Sequence, residues 1–265
     1  MLSRLSRLSR PVALAVCAAP LTALLAVAAL APLPFAIAQP GPTADVLGAK
    51  DGRTVISISG APTRETKGQL RMTTIQATGP SDSASLAELV EMWFRTDRAV
   101  LPREAVYPSG GSDEEIEKHN LEEMAKSQST ATEAALGYLR RNPSEVKVDL
   151  DLADVGGPSA GLMFSLGIVD KLAGDGGGGE LTGGRTVAGT GTISPDGKVG
   201  AVGGVALKTQ AAKRDGATVF LVPEAECADA RTELPEGLQL VPVTSLSDAV
   251  NALRALNRGE PAPSC

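Results

Sequence analysis

The longest apolar run comes first in the chain. Residues 12–31 are mostly Ala, Leu and Val, preceded by Arg4, Arg7 and Arg10 and followed by no charge until Asp45. A secretory signal has an apolar core of about 7–15 residues, and a spanning helix needs about 20. This run is long enough to span. The preceding arginines hold the N-terminus on the cytoplasmic side and place the rest of the chain outside. Ala36-Ile37-Ala38 ahead of Gln39 has the form of a signal-peptidase site, so a retained anchor and a cleaved signal both stand as readings. Val16 is not the small residue that lipidation at Cys17 would require.

Past an extended exit at 39–43, the pattern turns periodic. Residues 54–59 (Val55, Ile56, Ile58) and 69–78 read as strands, with a turn around Gly60–Pro62. Residues 85–94 read as a helix. A longer one over 113–141 has acids at its start and Arg140 and Arg141 at its end, which suits the helix dipole. Residues 146–152 alternate strictly, with Val146, Val148, Leu150 and Leu152 on one strand face. A turn at 154–158 leads into a helix over 159–172. Next come a strand over 186–193, a turn at Pro195-Asp196-Gly197, and a helix over 201–214 closed by Gly216. A buried strand at 217–222, a short strand at 238–243 and a helix at 247–256, capped by Ser245 or Ser247, complete the pattern. Strands alternating with helices in the C-terminal half predict a mixed α/β domain. The expected division is 1–40 membrane segment, 41–144 strands and helices outside the cytoplasm, 145–258 catalytic core, and 259–265 tail.

Composition narrows the function. The 265 residues are 43% hydrophobic, enough for a full globular core. Net charge is −6; residues 1–40 hold three Arg and no acid, so residues 41–265 stand at −9. That excludes the broad cationic surface needed for phosphate backbones, and seven aromatics are too few for base stacking, so no nucleic-acid partner is expected. The single histidine, His119, lies in a charged run and reads as a solvated surface residue. A His-rich metal site cannot be built. The glycine cluster at 174–179 follows a helix instead of opening one, and Gly197-Lys198 is followed by Val199, so neither is a phosphate loop and no nucleotide site is expected. Cys227 and Cys265 read either as one disulfide of an oxidising compartment or as two unrelated thiols.

Two residues carry the candidate chemistry. Gly156-Gly157-Pro158-Ser159-Ala160-Gly161 lies between a strand and a helix. Its glycines allow a sharp turn, and Ser159 at a helix start has open backbone N–H groups nearby. That suits a nucleophile beside an oxyanion hole; it equally suits a plain helix cap. On a wheel of the 201–214 helix, Lys208 falls among Ala201, Gly204, Val205, Ala211 and Ala212, while Lys213 and Arg214 lie opposite. A lysine there either snorkels to the edge or loses water and, with it, its high pKa. A neutral lysine beside a serine hydroxyl is a general base.

With these motifs in view (GGPSAG at 156–161, TGT at 190–192, GKVGAVGGVALK at 197–208), the sequence resembles the proteolytic domain of Lon proteases. The flanks DVGGPSAGLMFSLGIVDKL, LTGG and AAKRDGATVFLVP, with the earlier PGPTADVLG, KGQLRMTTI and REAVYP, resemble the membrane-anchored, ATPase-free Lon-like proteases of bacteria. The resemblance covers roughly residues 40–250. It implies a Lon-type α/β (α+β) domain of mixed sheets and packed helices behind one transmembrane helix. It also implies an ATP-independent serine endopeptidase, with Ser159 as nucleophile, Lys208 as general base and Thr190 hydrogen-bonding the lysine. The amides of Ser159 and of Gly156 or Gly157 would form the oxyanion hole. Unfolded or flexible polypeptides are the implied substrates and a hexameric ring the implied assembly, with no cofactor or metal. There are departures. No PDZ-like stretch is found, although the subfamily usually has one. Gly156 stands where some Lon proteins have an acid, and residues 176–179 look like a local insertion. A Ser-Lys amidase or self-cleaving protein, and a peptide-binding scaffold, are the alternatives.

Overall fold

The computed structural model describes residues 9–31, 33–50, 52–107, 112–152 and 157–265. In chain order the first elements are α1 (Arg10–Leu30), β1 (Phe35–Asp45), β2 (Ala49–Lys50), β3 (Arg53–Thr54), β4 (Ile56–Ser59) and β5 (Gln69–Ala77). There follow α2 (Leu86–Trp93), β6 (Ala99–Pro102), α3 (Arg103–Val106), α4 (Asp113–Tyr138) and β7 (Lys147–Leu150). A 3-10 turn at Pro158–Ala160 opens α5 (Gly161–Ala173), and β8 (Thr186–Gly189), β9 (Thr192–Ile193) and β10 (Val199–Gly200) come next. The chain ends with α6 (Val205–Arg214), β11 (Val219–Pro223), α7 (Cys227–Arg231), β12 (Gln239–Val243) and α8 (Leu246–Asn257). These elements form two units that interleave along the sequence, Met1–Ala38 with Ala77–Gly110, and Gln39–Gln76 with Gly111–Cys265. The boundary expected at residue 144 falls inside the second unit.

In the first unit, α1 is the one helix among the described residues long and apolar enough to cross a membrane. The first four residues of β1 pair antiparallel with β6, Phe35 opposite Pro102 and Ala38 opposite Ala99. The helix α2 starts in a capping box of Ser85 and Glu88. The stretch expected to be an extended exit at 39–43 is instead the middle of β1, because its backbone is taken into a sheet. Thr74 Oγ1, for example, donates to the Pro42 carbonyl at 2.7 Å.

The second unit is built on strands side by side in the order β12, β11, β8, β5, β1. β12, β11, β8 and β5 are mutually parallel, with Val219 opposite both Gln239 and Val187, and Gln69 opposite Thr186. Parallel strands covered on both faces read as continuous apolar runs, and VFLVP of β11 is buried throughout. Its alternate residues serve two cores. Val219 and Leu221 join Val187, Val241 and the α5 residues Leu162, Met163 and Leu166. Phe220 and Val222 join Ala188, Leu240 and the α6 residues Val205 and Ala212 on the other face. α4 packs against α5 through small buried residues, Ser127, Ala131, Ala134 and Ala135. β4 and β7 form an antiparallel pair, Ile56 opposite Leu150 and Ile58 opposite Val148, with Lys147 and Asp149 turned to solvent. Cys227 and Cys265 are joined by a disulfide with Cα atoms 5.4 Å apart.

Two elements differ from the sequence expectation where chemistry is concentrated. The single strand expected over 186–193 is broken, β8 stopping at Gly189 and β9 restarting at Thr192. The helix expected over 201–214 starts at Val205, because Gly204 takes a left-handed conformation with φ of 68° that ends the preceding loop.

Candidate active site

The break at Thr190-Gly191 is where the site is assembled. The parallel strand β8 ends there, and the backbone leaves the ladder to meet the turn that carries Ser159. The Gly191 N–H donates to the Ser159 carbonyl oxygen at 2.9 Å, and the Leu162 N–H donates to the Gly191 carbonyl at 3.1 Å. These two bonds fasten the start of α5 to the end of β8. Thr190 is held in turn by its own N–H, which donates to the Leu221 carbonyl at 3.1 Å.

Ser159 sits in the 3-10 turn Pro158–Ala160 and is half-buried, while the α5 residues beyond it are buried through Asp170. Gly157, just before, has φ of 95°, a conformation that a side chain would strain. The long helix α4 grips this turn from the side. Ser127 Oγ donates to the Pro158 carbonyl at 3.1 Å, and the Gly157 N–H donates to the Asn120 carbonyl at 3.1 Å. The Gly157 amide is therefore engaged and not open to an oxyanion in this arrangement. Gly156, the other expected donor, lies outside the described residues, as does Asp154. The Ser159 amide belongs to the first turn of a helix, where N–H groups lack intrahelical partners.

Lys208 is only 4% exposed, on the face of α6 turned to the sheet. Its Nζ donates to Thr190 Oγ1 at 3.2 Å, and Thr190 Oγ1 donates to the Ser159 carbonyl oxygen at 3.3 Å. Two hydrogen bonds thus link the lysine amine to the backbone of the serine. Loss of water lowers the Lys208 pKa from 10.5 to about 8, with the nearby carboxylates of Glu226 and Asp229 pulling the other way. The arrangement joins a buried amine, a threonine hydroxyl and the backbone of a serine at a helix start. Among the described residues no three His, Cys, Asp or Glu side chains converge as a metal site would require. His119 is exposed on α4.

A model of the Lon protease (S16) C-terminal proteolytic domain matches residues 125–255. This stretch, just under half of the chain, is similar to a Lon-type proteolytic domain. Ser159, Thr190 and Lys208 all lie inside that stretch. The chain is 32% identical over 124 residues to a Lon protease of Chloroflexus aggregans, covering 40% of this chain and 14% of the relative. It is 29% identical over 191 residues to a Lon protease of Mycoplasma genitalium, covering 65% of this chain and 23% of the relative. The chain thus spans less than a quarter of the length of these curated relatives. The mixed α/β architecture fits a domain of that kind.

Sequence reasoning did not reach several residues that shape the site. Asn120 and Ser127 come from a helix 30 or more residues upstream, with nothing local to mark them. Asp229 accepts from the N–H groups of Val205 and Ala206 at 2.9 and 3.3 Å, across a separation of more than 20 residues. The absence of any Ser, Thr, Asp or Asn before Val205 was the available signal, since a helix start without its own cap takes one from elsewhere.

Proposed function

We propose that this chain is a serine endopeptidase in which Ser159 is the nucleophile and Lys208 the general base, acting on flexible or unfolded polypeptide without nucleotide. We place it at the outer face of a membrane, held by α1. The observation that carries the catalytic reading is the buried Lys208 amine, linked through Thr190 to Ser159. With its pKa lowered to about 8, about a tenth of Lys208 is neutral at pH 7, against about one part in 3,000 for an ordinary lysine. The membrane reading is supported by the length and apolarity of α1 and by the arginines ahead of it.

The chemistry follows from these groups. Neutral Lys208 accepts the proton of the Ser159 hydroxyl as Oγ bonds to the peptide carbonyl carbon, and the carbonyl π pair moves onto its oxygen. The Ser159 N–H is a donor for that oxyanion. The ammonium then gives its proton to the amide nitrogen as the C–N bond breaks, which releases the amine and leaves an ester on Ser159. Water attacks the ester and gives a proton to Lys208, which returns it to Oγ as the acid leaves.

The test uses the full chain in detergent on unfolded casein, with and without ATP, beside Ser159→Ala and Lys208→Ala. Cleavage by wild type at equal rates with and without ATP, and by neither variant, is the expected result. Cleavage that survives both substitutions would rule out the dyad, and cleavage that requires ATP would remove nucleotide independence.

A further inference from the structure

Helix α6 starts without a cap of its own. Gly204 offers no side chain, yet Val205 at the first helical position is fully buried, so its amide has no access to water. A buried N–H left unpaired is costly. The Asp229 carboxylate meets this need with one oxygen, Oδ2, which accepts from Val205 and Ala206. Lys208 follows one turn later, and its position against Thr190 depends on that first turn being wound.

Asp229 sits on α7, a helix of five residues, too short to be stable alone. Three features hold α7 in place. Its first residue, Cys227, is bonded to Cys265 at the chain end; Arg231 donates to the Cys265 carbonyl oxygen; and Ala230 is buried in the core beneath α6. The Cys227–Cys265 bond therefore anchors the short helix whose carboxylate caps the lysine-bearing helix.

We propose that Asp229, fixed by the Cys227–Cys265 disulfide, is a positioning residue for Lys208. The proposal rests on the Ser159–Lys208 reading and deepens it. Asp229 has two separable roles. As an acceptor it holds the first turn of α6. As a negative charge, together with Glu226 on the turn before α7, it favours the ammonium form of Lys208. Thr190, the hydrogen-bond partner of the amine among the described residues, carries no charge.

The experiment compares Asp229→Asn, Asp229→Ala and Cys265→Ser with wild type in the full chain, measuring kcat, KM and the pH profile of peptide cleavage. Asp229→Asn keeps an acceptor oxygen and loses the charge. It retains kcat within about threefold at its plateau and moves the acid limb of the profile to lower pH. Asp229→Ala loses the cap, and kcat falls by on the order of tenfold with KM unchanged. Cys265→Ser, which frees α7, lowers kcat in the same direction by a smaller factor. A purely structural role would lower thermal stability in all three without moving the acid limb in Asp229→Asn. Wild-type kcat in Asp229→Ala, or an unmoved limb in Asp229→Asn, overturns the proposal. If Asp229→Ala does not fold, the limb in Asp229→Asn and the kcat of Cys265→Ser decide it alone. Ser159→Ala and Lys208→Ala run in parallel. Activity in both sinks the dyad itself, whereas loss in both with unaltered Asp229 variants sinks only the positioning role.

Discussion

Replacing Lys208 by methionine should make the protein more stable at neutral pH and inactive. The lysine is buried and, among the described residues, its amine has a single hydrogen bond, to a neutral oxygen; burial lowers its pKa from 10.5 to about 8. At 1.36 kcal/mol per pH unit, that drop corresponds to about 3 kcal/mol of native-state stability. The sign follows from proton counts. Between pH 8 and 10.5 the unfolded chain keeps the Lys208 proton and the folded chain has lost it, so stability rises with pH in that window. Below pH 8 the whole cost is present. Lys208→Met has nothing to titrate, and its unbranched side chain fills similar space. Urea unfolding of the full chain in detergent, followed by circular dichroism at pH 7 and near pH 10.5, measures the effect. The advantage of the variant over wild type should shrink by about 3 kcal/mol across that interval, with equal denaturant slopes. The same pKa should govern catalysis in wild type, where kcat/KM rises tenfold per pH unit from pH 6 and levels off above about pH 8. A stability difference independent of pH, or a rate limb near pH 10, would refute a desolvated Lys208 acting as base.

Asp170 offers a second titration outside the site. It is fully buried on α5; its Oδ1 accepts from the Leu181 N–H at 2.8 Å and its Oδ2 has no partner among the described residues. Burial raises its pKa from 3.8 to about 6, with nearby Glu180 adding to the rise and the Leu181 bond and Arg64 opposing it. Because the folded form holds the proton longer, wild-type stability should fall by about 2 kcal/mol between pH 4 and pH 7 on this account, and Asp170→Asn should lack that slope; parallel slopes in thermal or urea unfolding would contradict it. Thr190→Val preserves shape and removes both the acceptor of the Lys208 bond and the donor to the Ser159 carbonyl. A hydrogen bond to a charged group is worth about 1.5–3 kcal/mol, so kcat should drop about 10–100-fold with KM nearly unchanged, and a variant with wild-type turnover would show the relay to be dispensable.

Much of the fold was legible because it follows from short-range pattern. The alternation of residues 146–152, the apolar run at β11 and the Ser245 cap of α8 are local features with one dominant solution. The buried face of α6 was also legible, since Lys208 interrupts a stripe of small and apolar side chains and Lys213 does not. Breaks were harder to read. Residues 186–193 carry no proline and are rich in Thr, Val and Ile, but Gly189 and Gly191 flank Thr190 and weaken the strand there; the chain leaves the ladder at Thr190, where Ser159 and Leu162 supply competing hydrogen bonds from another element. The start of α6 was placed four residues early for the same kind of reason. Its cap is Asp229, a remote residue, and no window on the local sequence contains it. The middle of β1, residues 39–43, was read as an exit from the membrane because prolines at 40 and 42 suppress strand propensity; a sheet neighbour overrides that preference.

The two halves of the candidate site come from opposite faces of one sheet. Ser159 opens α5, which packs on the face served by Val219 and Leu221; Lys208 rides on α6, which packs on the face served by Phe220 and Val222. Side chains on opposite faces of a continuous sheet are kept apart by the backbone between them. They can meet only beyond the end of a strand, and in parallel sheets ligands bind outside the carboxyl ends of the strands for this reason. β8 stops at Gly189, and Thr190 stands in the opening, bonded to the lysine from one side and to the serine backbone from the other. Extending β8 without a break, as the sequence pattern alone suggests, would carry the ladder through this opening and separate the two residues. The interruption of the strand at Thr190, between Gly189 and Gly191, is therefore the structural condition for bringing Lys208 toward Ser159.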